Sequence, residues 1–326
     1  GIEALKNAKN PLILVGGAAL EETNLIKIAK IADKMNCPIK TDWFNARLDK
    51  GAGRINSVRI PYVVDNAVEV LKSFDTIIII GARRPVAFFA YPNKPGILTQ
   101  DSTKFVELAS LSDDITDLIE KLSDKIGVSN KVPSTMSELK IPEIPKGPIN
   151  TTSLGMVLGA LIPENAIVVD ESVTTGREFF NQTAGSCPHT WLNNCGGSIG
   201  FGMPVAIGAA TACPDQKVIA LEGDGSAMYT VQSLWTMARE NLDIVVLIFA
   251  NQSYKILQGE LTNVGVTNPG KSALEMLSLK DPSLDWVSVS KGMGVDGVRV
   301  DNIEDLVKNF KHGLKENGPF LIEVMI

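Results

Sequence analysis

Two residues, each closing an apolar run, constrain this chain more than any other feature. Gly223-Asp224-Gly225 follows Lys217 to Glu222 (KVIALE), and Asn251 follows Asp243 to Phe249 (DIVVLIF). Both runs have the length and composition of buried strands. Between them, Ser226 to Glu240 has a helical period that sets Val231, Leu234, Trp235 and Ala238 on one face. Strand, helix and strand in this order make a βαβ unit, whose right-handed crossover predicts parallel strands. Asp224 and Asn251 should then emerge together at the carboxyl edge of one sheet, where open α/β folds bind ligands.

The residue types at that edge suggest a metal. A carboxylate, a carboxamide oxygen and a backbone carbonyl just beyond Asn251 are hard oxygen donors, suited to magnesium or calcium. Magnesium uses few protein carboxylates and fills its shell with water and phosphate oxygens, so a diphosphate is the natural third party. Gly225 and Ser226 open the predicted helix, where unpaired amides can hold phosphate oxygens as well.

Other ligands are poorly served. The net charge is −6 with no basic cluster, which argues against nucleic acid, and no apolar run approaches the length of a membrane span. With 326 residues, 44% of them hydrophobic, the chain can build two cores. Cys37, Cys187, Cys195 and Cys213 lack metal-binding spacing and read as reduced core thiols of a cytoplasmic protein. The start at Gly1-Ile2-Glu3, without methionine, suggests a processed or truncated product.

The expected fold class is α/β, with two domains that are each a parallel sheet flanked by helices. Residues 131–148 (KVPSTMSELKIPEIPKGP) are proline-rich and aperiodic and are read as a linker between domains at 1–130 and 149–326. In the first half, strands are expected at Leu12 to Gly17, Thr76 to Ala82 and Lys104 to Leu108. Helices at Thr23 to Met35 and Asp113 to Lys121 should alternate with them in a Rossmann-like sheet. Gly16-Gly17-Ala18-Ala19-Leu20 is not the dinucleotide fingerprint, so an NAD-dependent dehydrogenase is a weak alternative.

A second glycine-rich segment, Asn194 to Pro204 (NCGGSIGFGMP), runs into the small-residue pattern AIGAATA. Its glycines allow close backbone approach to a ligand. Together, this segment and GDGSAMYTVQSLWTMARENLDIVVLIFANQSY resemble the signature of thiamine-diphosphate enzymes, with Ala250 standing where most members carry the first asparagine of a pair. The resemblance covers the whole chain. It identifies the first half as similar to the Rossmann-like middle domain, and the second half as similar to the diphosphate-binding domain, of the acetolactate synthase and benzoylformate decarboxylase group.

What the resemblance implies can be set out residue by residue. Asp224, Asn251 and the Ser253 carbonyl would hold Mg2+. Ser172, Gly223, Gly225, Ser226, Tyr254 and Ile256 would line thiamine diphosphate. Ile199 would force the cofactor into a V shape, with the Gly197 carbonyl orienting its 4'-amino group, so that the cofactor generates its own ylid. The reaction would be decarboxylation or carboligation of a small 2-oxo acid. Leu257 stands where pyruvate decarboxylases place an acidic proton donor, and Glu260 where acetolactate synthases carry a tryptophan. Gly81-Ala82-Arg83 matches the synthases' FAD-binding domain before diverging, so FAD is admitted but not expected.

Family members also carry an amino-terminal pyrimidine-binding domain whose glutamate drives ylid formation, and this domain is absent from the chain. Their complete sites lie between subunits, which implies a homodimer or homotetramer. The alternative is a non-catalytic cofactor- or nucleotide-binding subunit that completes a split enzyme. His189 is expected to pack beside Trp191 rather than to act in acid-base work, and His312 to sit on a solvated helix face (Asp305 to Lys315). Glu171, Ser172 and Thr174 follow the strand Ala166 to Asp170 at the same carboxyl edge.

Overall fold

The computed structural model describes residues 1–326. It divides into two compact units, one of residues 1–49 and 53–137 and one of residues 50–52 and 138–326.

In the first unit the strands are β1 (Pro11–Val15), β2 (Ile39–Thr41), β3 (Arg47–Lys50), β4 (Val58–Arg59), β5 (Thr76–Ile80) and β6 (Lys104–Ala109). Five of them form a sheet in the order β4-β2-β1-β5-β6, with parallel pairing throughout. Order reverses between β1 and β5. There Gly16 and Gly81 cross so closely that a Cβ on either would stand 2.5 Å from the other's carbonyl oxygen. Protein backbone thus occupies the point at which a doubly wound sheet usually receives a ligand. The helices Glu22–Met35 and Ile115–Ile126 end on residues in the left-handed conformation, Asn36 and Gly127, the usual way of satisfying a last turn's carbonyls.

The second unit adds β7 (Ile167–Glu171), β8 (His189–Asn193), β9 (Val218–Gly223), β10 (Ile244–Ala250), β11 (Asp296–Val300) and β12 (Phe320–Met325). Their sheet runs β11-β12-β10-β9-β7-β8. Every residue of β10 is buried, as a central strand with both faces covered requires. One face packs beneath the helices Gly202–Ala212, Ser233–Arg239 and Trp286–Gly292, with Val169, Ala220, Ile248, Met203, Leu234 and Trp286 in a common core. The helix Thr151–Leu161 starts from a reciprocal cap, in which Asn150 and Ser153 each accept the other's backbone N–H.

The helix expected over Ser226 to Glu240 is not continuous. It is built as Asp224–Ala227, a tight turn at Met228–Thr230, and Ser233–Arg239. The Thr230 hydroxyl donates to the Gly200 carbonyl at 3.0 Å, which ties the turn to the glycine segment, and Val231, Leu234 and Ala238 still pack on the core. Leu234 and Met237 are buried, whereas Trp235 is half exposed under the Arg239 guanidinium. No helix is long and apolar enough to cross a membrane.

Candidate active site at the carboxyl edge of the second sheet

Strand order in the second unit reverses between β7 and β9, because β8 adds on one side of β7 and β10 on the far side of β9. The crevice at this point is bordered by Glu171-Ser172 and by Gly223-Asp224, with Asn251 just beyond β10. Parallel register places Gly223 beside Phe249, so the two motifs leave the sheet side by side.

Asp224 is 3% exposed. One of its oxygens accepts the N–H of Gly225 at 2.9 Å, and the other accepts that of Gln252 at 2.6 Å. The second bond ties the Gly-Asp-Gly turn directly to the residue after Asn251. Asn251 accepts the Ser253 N–H at 2.9 Å through its side-chain oxygen. Gln252, between them, has φ +56° and is held by the Leu279 N–H, which donates to its carbonyl. Tyr254 lies against Gly225, where a Cβ would approach its ring to 2.6 Å, and its N–H donates to Leu277. Burial pushes the Asp224 carboxyl up to about 6, against the pull of three backbone hydrogen bonds, and Glu323 adds like charge. The groups that favour its charged form are backbone amides alone. A buried carboxylate beside an amide oxygen is a hard-oxygen set that fits magnesium.

The glycine segment is pinned from below. Glu171 accepts the N–H of Gly200 through one oxygen and that of Gly202 through the other, each at 2.6 Å. Asn194 closes the other side of the loop, accepting the Ser198 N–H and donating to its carbonyl, both at 2.9 Å. Gly196 and Gly197 have φ +74° and +69°, values at which a side chain would be strained. Ile199 stands on this pinned loop, 41% exposed at the same edge. Burial raises the Glu171 carboxyl above its usual range, while the three amides of residues 200–202 oppose the shift.

Some expected residues take other tasks. Ser172 is 2% exposed, and its hydroxyl donates to Asp170 at 2.5 Å, so it organises the loop from within. Ser226 is also buried. Val173, next in the chain, has φ +49°, which is strained for a β-branched residue. Ile256 is half-buried and Leu257 is 46% exposed on the following helix, Lys255–Asn263. His189 lies buried beside Trp191, with Nδ1 2.7 Å from the Cys187 carbonyl. His312 is half exposed and pairs with Glu316.

Glu171, expected only to lie at the carboxyl edge, holds the glycine segment through its carboxylate. Sequence reasoning overlooked Glu222, the neighbour of Glu171 across β7 and β9. The available signal was a glutamate closing each of two strand-length runs, VVDE and IALE.

Residues 176–324 match the family model of the thiamine pyrophosphate enzyme C-terminal TPP-binding domain. Over its whole length the chain is similar to thiamine-diphosphate-dependent enzymes with acetolactate synthase and benzoylformate decarboxylase names. It is 38% identical over 323 residues to IlvX of Mycobacterium tuberculosis, described as a candidate acetolactate synthase large subunit. Identity to the benzoylformate decarboxylase of Pseudomonas aeruginosa is 26% over 349 residues. Among solved structures, the thiamine-diphosphate-dependent 4-hydroxybenzoylformate decarboxylase of Rhodococcus jostii RHA1 superposes with a TM-score of 0.80 at 26% identity. Each similarity covers 99% of this chain and 62% of the other protein.

Proposed function

We propose that this chain binds thiamine diphosphate through Mg2+ and takes part in decarboxylation or carboligation of a small 2-oxo acid. Asp224, Asn251 and the Ser253 carbonyl would hold the metal. Gly223, Gly225, Ser226, Tyr254 and Ile256 would border the cofactor, with Ile199 and the Gly197 carbonyl against its pyrimidine side. When bound, the cofactor supplies a carbanion equivalent that attacks the oxo carbon and accepts the electrons released with carbon dioxide. The protein's part is to bind, to orient and to exclude water. The rest of the site would come from a pyrimidine-binding domain in a homodimer or homotetramer. Leu257 places an apolar side chain where pyruvate decarboxylases carry an acid, so this position would supply no proton donor beside the bound cofactor.

The observation that carries this reading is the 2.6 Å bond from the Gln252 N–H to Asp224, which joins the two halves of the motif into one buried, oxygen-lined turn. Calorimetric titration of the wild type and of Asp224→Ala with thiamine diphosphate and magnesium tests it. Tight binding by the wild type and at least a hundredfold loss in the variant are expected, in line with removal of a buried metal ligand and the phosphate contacts it supports. Undiminished binding would overturn the assignment.

A further inference from the structure

The same crevice contains an acidic residue that neither the metal nor the phosphate motif uses. In the β7–β9 register Glu171 stands directly beside Glu222, so both side chains leave the same face of the sheet. They are 2% and 0% exposed. Glu171 is fully employed, with one oxygen on the Gly200 N–H and the other on that of Gly202. Glu222 faces the Glu171 carboxyl, and burial together with that neighbouring acid pushes its own carboxyl well up; neither of its oxygens meets a hydrogen-bond partner in good geometry. Its Oε1 lies so near the backbone of Gly202 that a Cβ there would stand 2.0 Å from it, and 3.0 Å from the Cβ of Glu171.

An unpartnered carboxyl in a dry core is costly, and an aliphatic residue would pack there without that cost. Every other β9 position from Val218 to Leu221 is in fact aliphatic. What distinguishes Glu222 is its location, wedged between the clamp and the backbone that the clamp holds. We propose that Glu222 is a positioning residue that buttresses Glu171, and through it fixes the Gly200–Gly202 turn at the height from which Ile199 supports the cofactor. The inference rests on the thiamine-diphosphate reading for its consequence, but the buttress itself is a property of the free chain.

The experiment compares wild type, Glu222→Val and Glu222→Gln. Amide hydrogen exchange at Gly200 and Gly202 is measured without ligand, alongside the melting temperature. Calorimetric titration with thiamine diphosphate and magnesium follows. Glu222→Val is expected to melt at or above the wild type, because it removes an unpartnered buried polar group, while exchange at both glycines speeds up on the order of tenfold. Its cofactor affinity should fall by about tenfold or more, the usual effect of losing support behind a binding group. Glu222→Gln keeps the length and shape of the side chain wedged against Glu171 and Gly202 and should restore both readouts to near the wild type.

Unchanged exchange in Glu222→Val, or a glutamine variant as loose as the valine one, would overturn the buttress. Faster exchange with undiminished affinity would overturn its link to the cofactor. If the valine variant does not fold, Glu222→Ala serves the same comparison. A wild type that binds no thiamine diphosphate would instead sink the functional reading, and the exchange data would still decide the buttress.

Discussion

Replacing Asp224 by asparagine should change how the free protein's stability depends on pH, in a direction opposite to that of an ordinary salt-bridged aspartate. The Asp224 carboxyl rises from 3.8 to about 6 on folding, mainly because it is removed from water. The folded chain therefore holds this proton more tightly than the unfolded chain does. Its contribution to stability is complete below 3.8 and is lost as pH climbs through about 6. A shift of roughly two units, at about 1.4 kcal/mol each, amounts to about 3 kcal/mol. Asparagine cannot titrate. It does forfeit one of the two acceptors now serving Gly225 and Gln252, a cost of about 1–3 kcal/mol that does not vary with pH. The informative quantity is thus the difference between variant and wild type, followed by urea unfolding of metal-free protein from about pH 4 to about pH 7. Across that window the variant should gain about 3 kcal/mol on the wild type. A difference that stays flat would refute the argument that Asp224 is a desolvated carboxylate. Magnesium with thiamine diphosphate should then raise the wild type's stability near neutral pH and leave the variant unchanged.

Two further outcomes follow from the glycine geometry. Gly202→Ala would drive a methyl to within 2.0 Å of Glu222 and 3.0 Å of the Glu171 side chain, so it should destabilise the fold by about 1–3 kcal/mol or more and loosen the Ile199 turn. Thermal melting together with a cofactor titration checks this, and a neutral result would mean that the two glutamates can move aside. NAD should leave the melting temperature unchanged, because the Gly16–Gly81 crossing fills the switch point of the first sheet with backbone. Dose-dependent protection by NAD would revive the dehydrogenase reading.

The motifs were legible because they depend on local order. Two apolar runs of strand length, each ended by a metal-ligand type, suffice to place Asp224 and Asn251 at one sheet edge once crossover handedness is added, and the Asp224–Gln252 bond bears this out. The glycines at 196 and 197 read as points of close backbone approach, and in the structure both take positive φ. The face carrying Val231, Leu234 and Ala238 was legible and packs on the core, but the break in the helix was not: Met228–Thr230 turns tightly, Thr230 bonds Gly200 thirty positions away, and Trp235 is half exposed.

Side-chain partners at the site were equally hidden. Ser172 and Glu171 were legible only as carboxyl-edge residues; the structure adds that the serine hydroxyl bonds Asp170 and the glutamate holds the amides of Gly200 and Gly202. Local periodicity tells which face of a strand a residue occupies, whereas register between strands tells which residue stands beside it. The chain order could therefore announce a buried oxygen-rich crevice between β7 and β9. Only the packed sheet could place Glu222 against Glu171, because a one-residue slip of β9 would have sent that carboxyl to the opposite face.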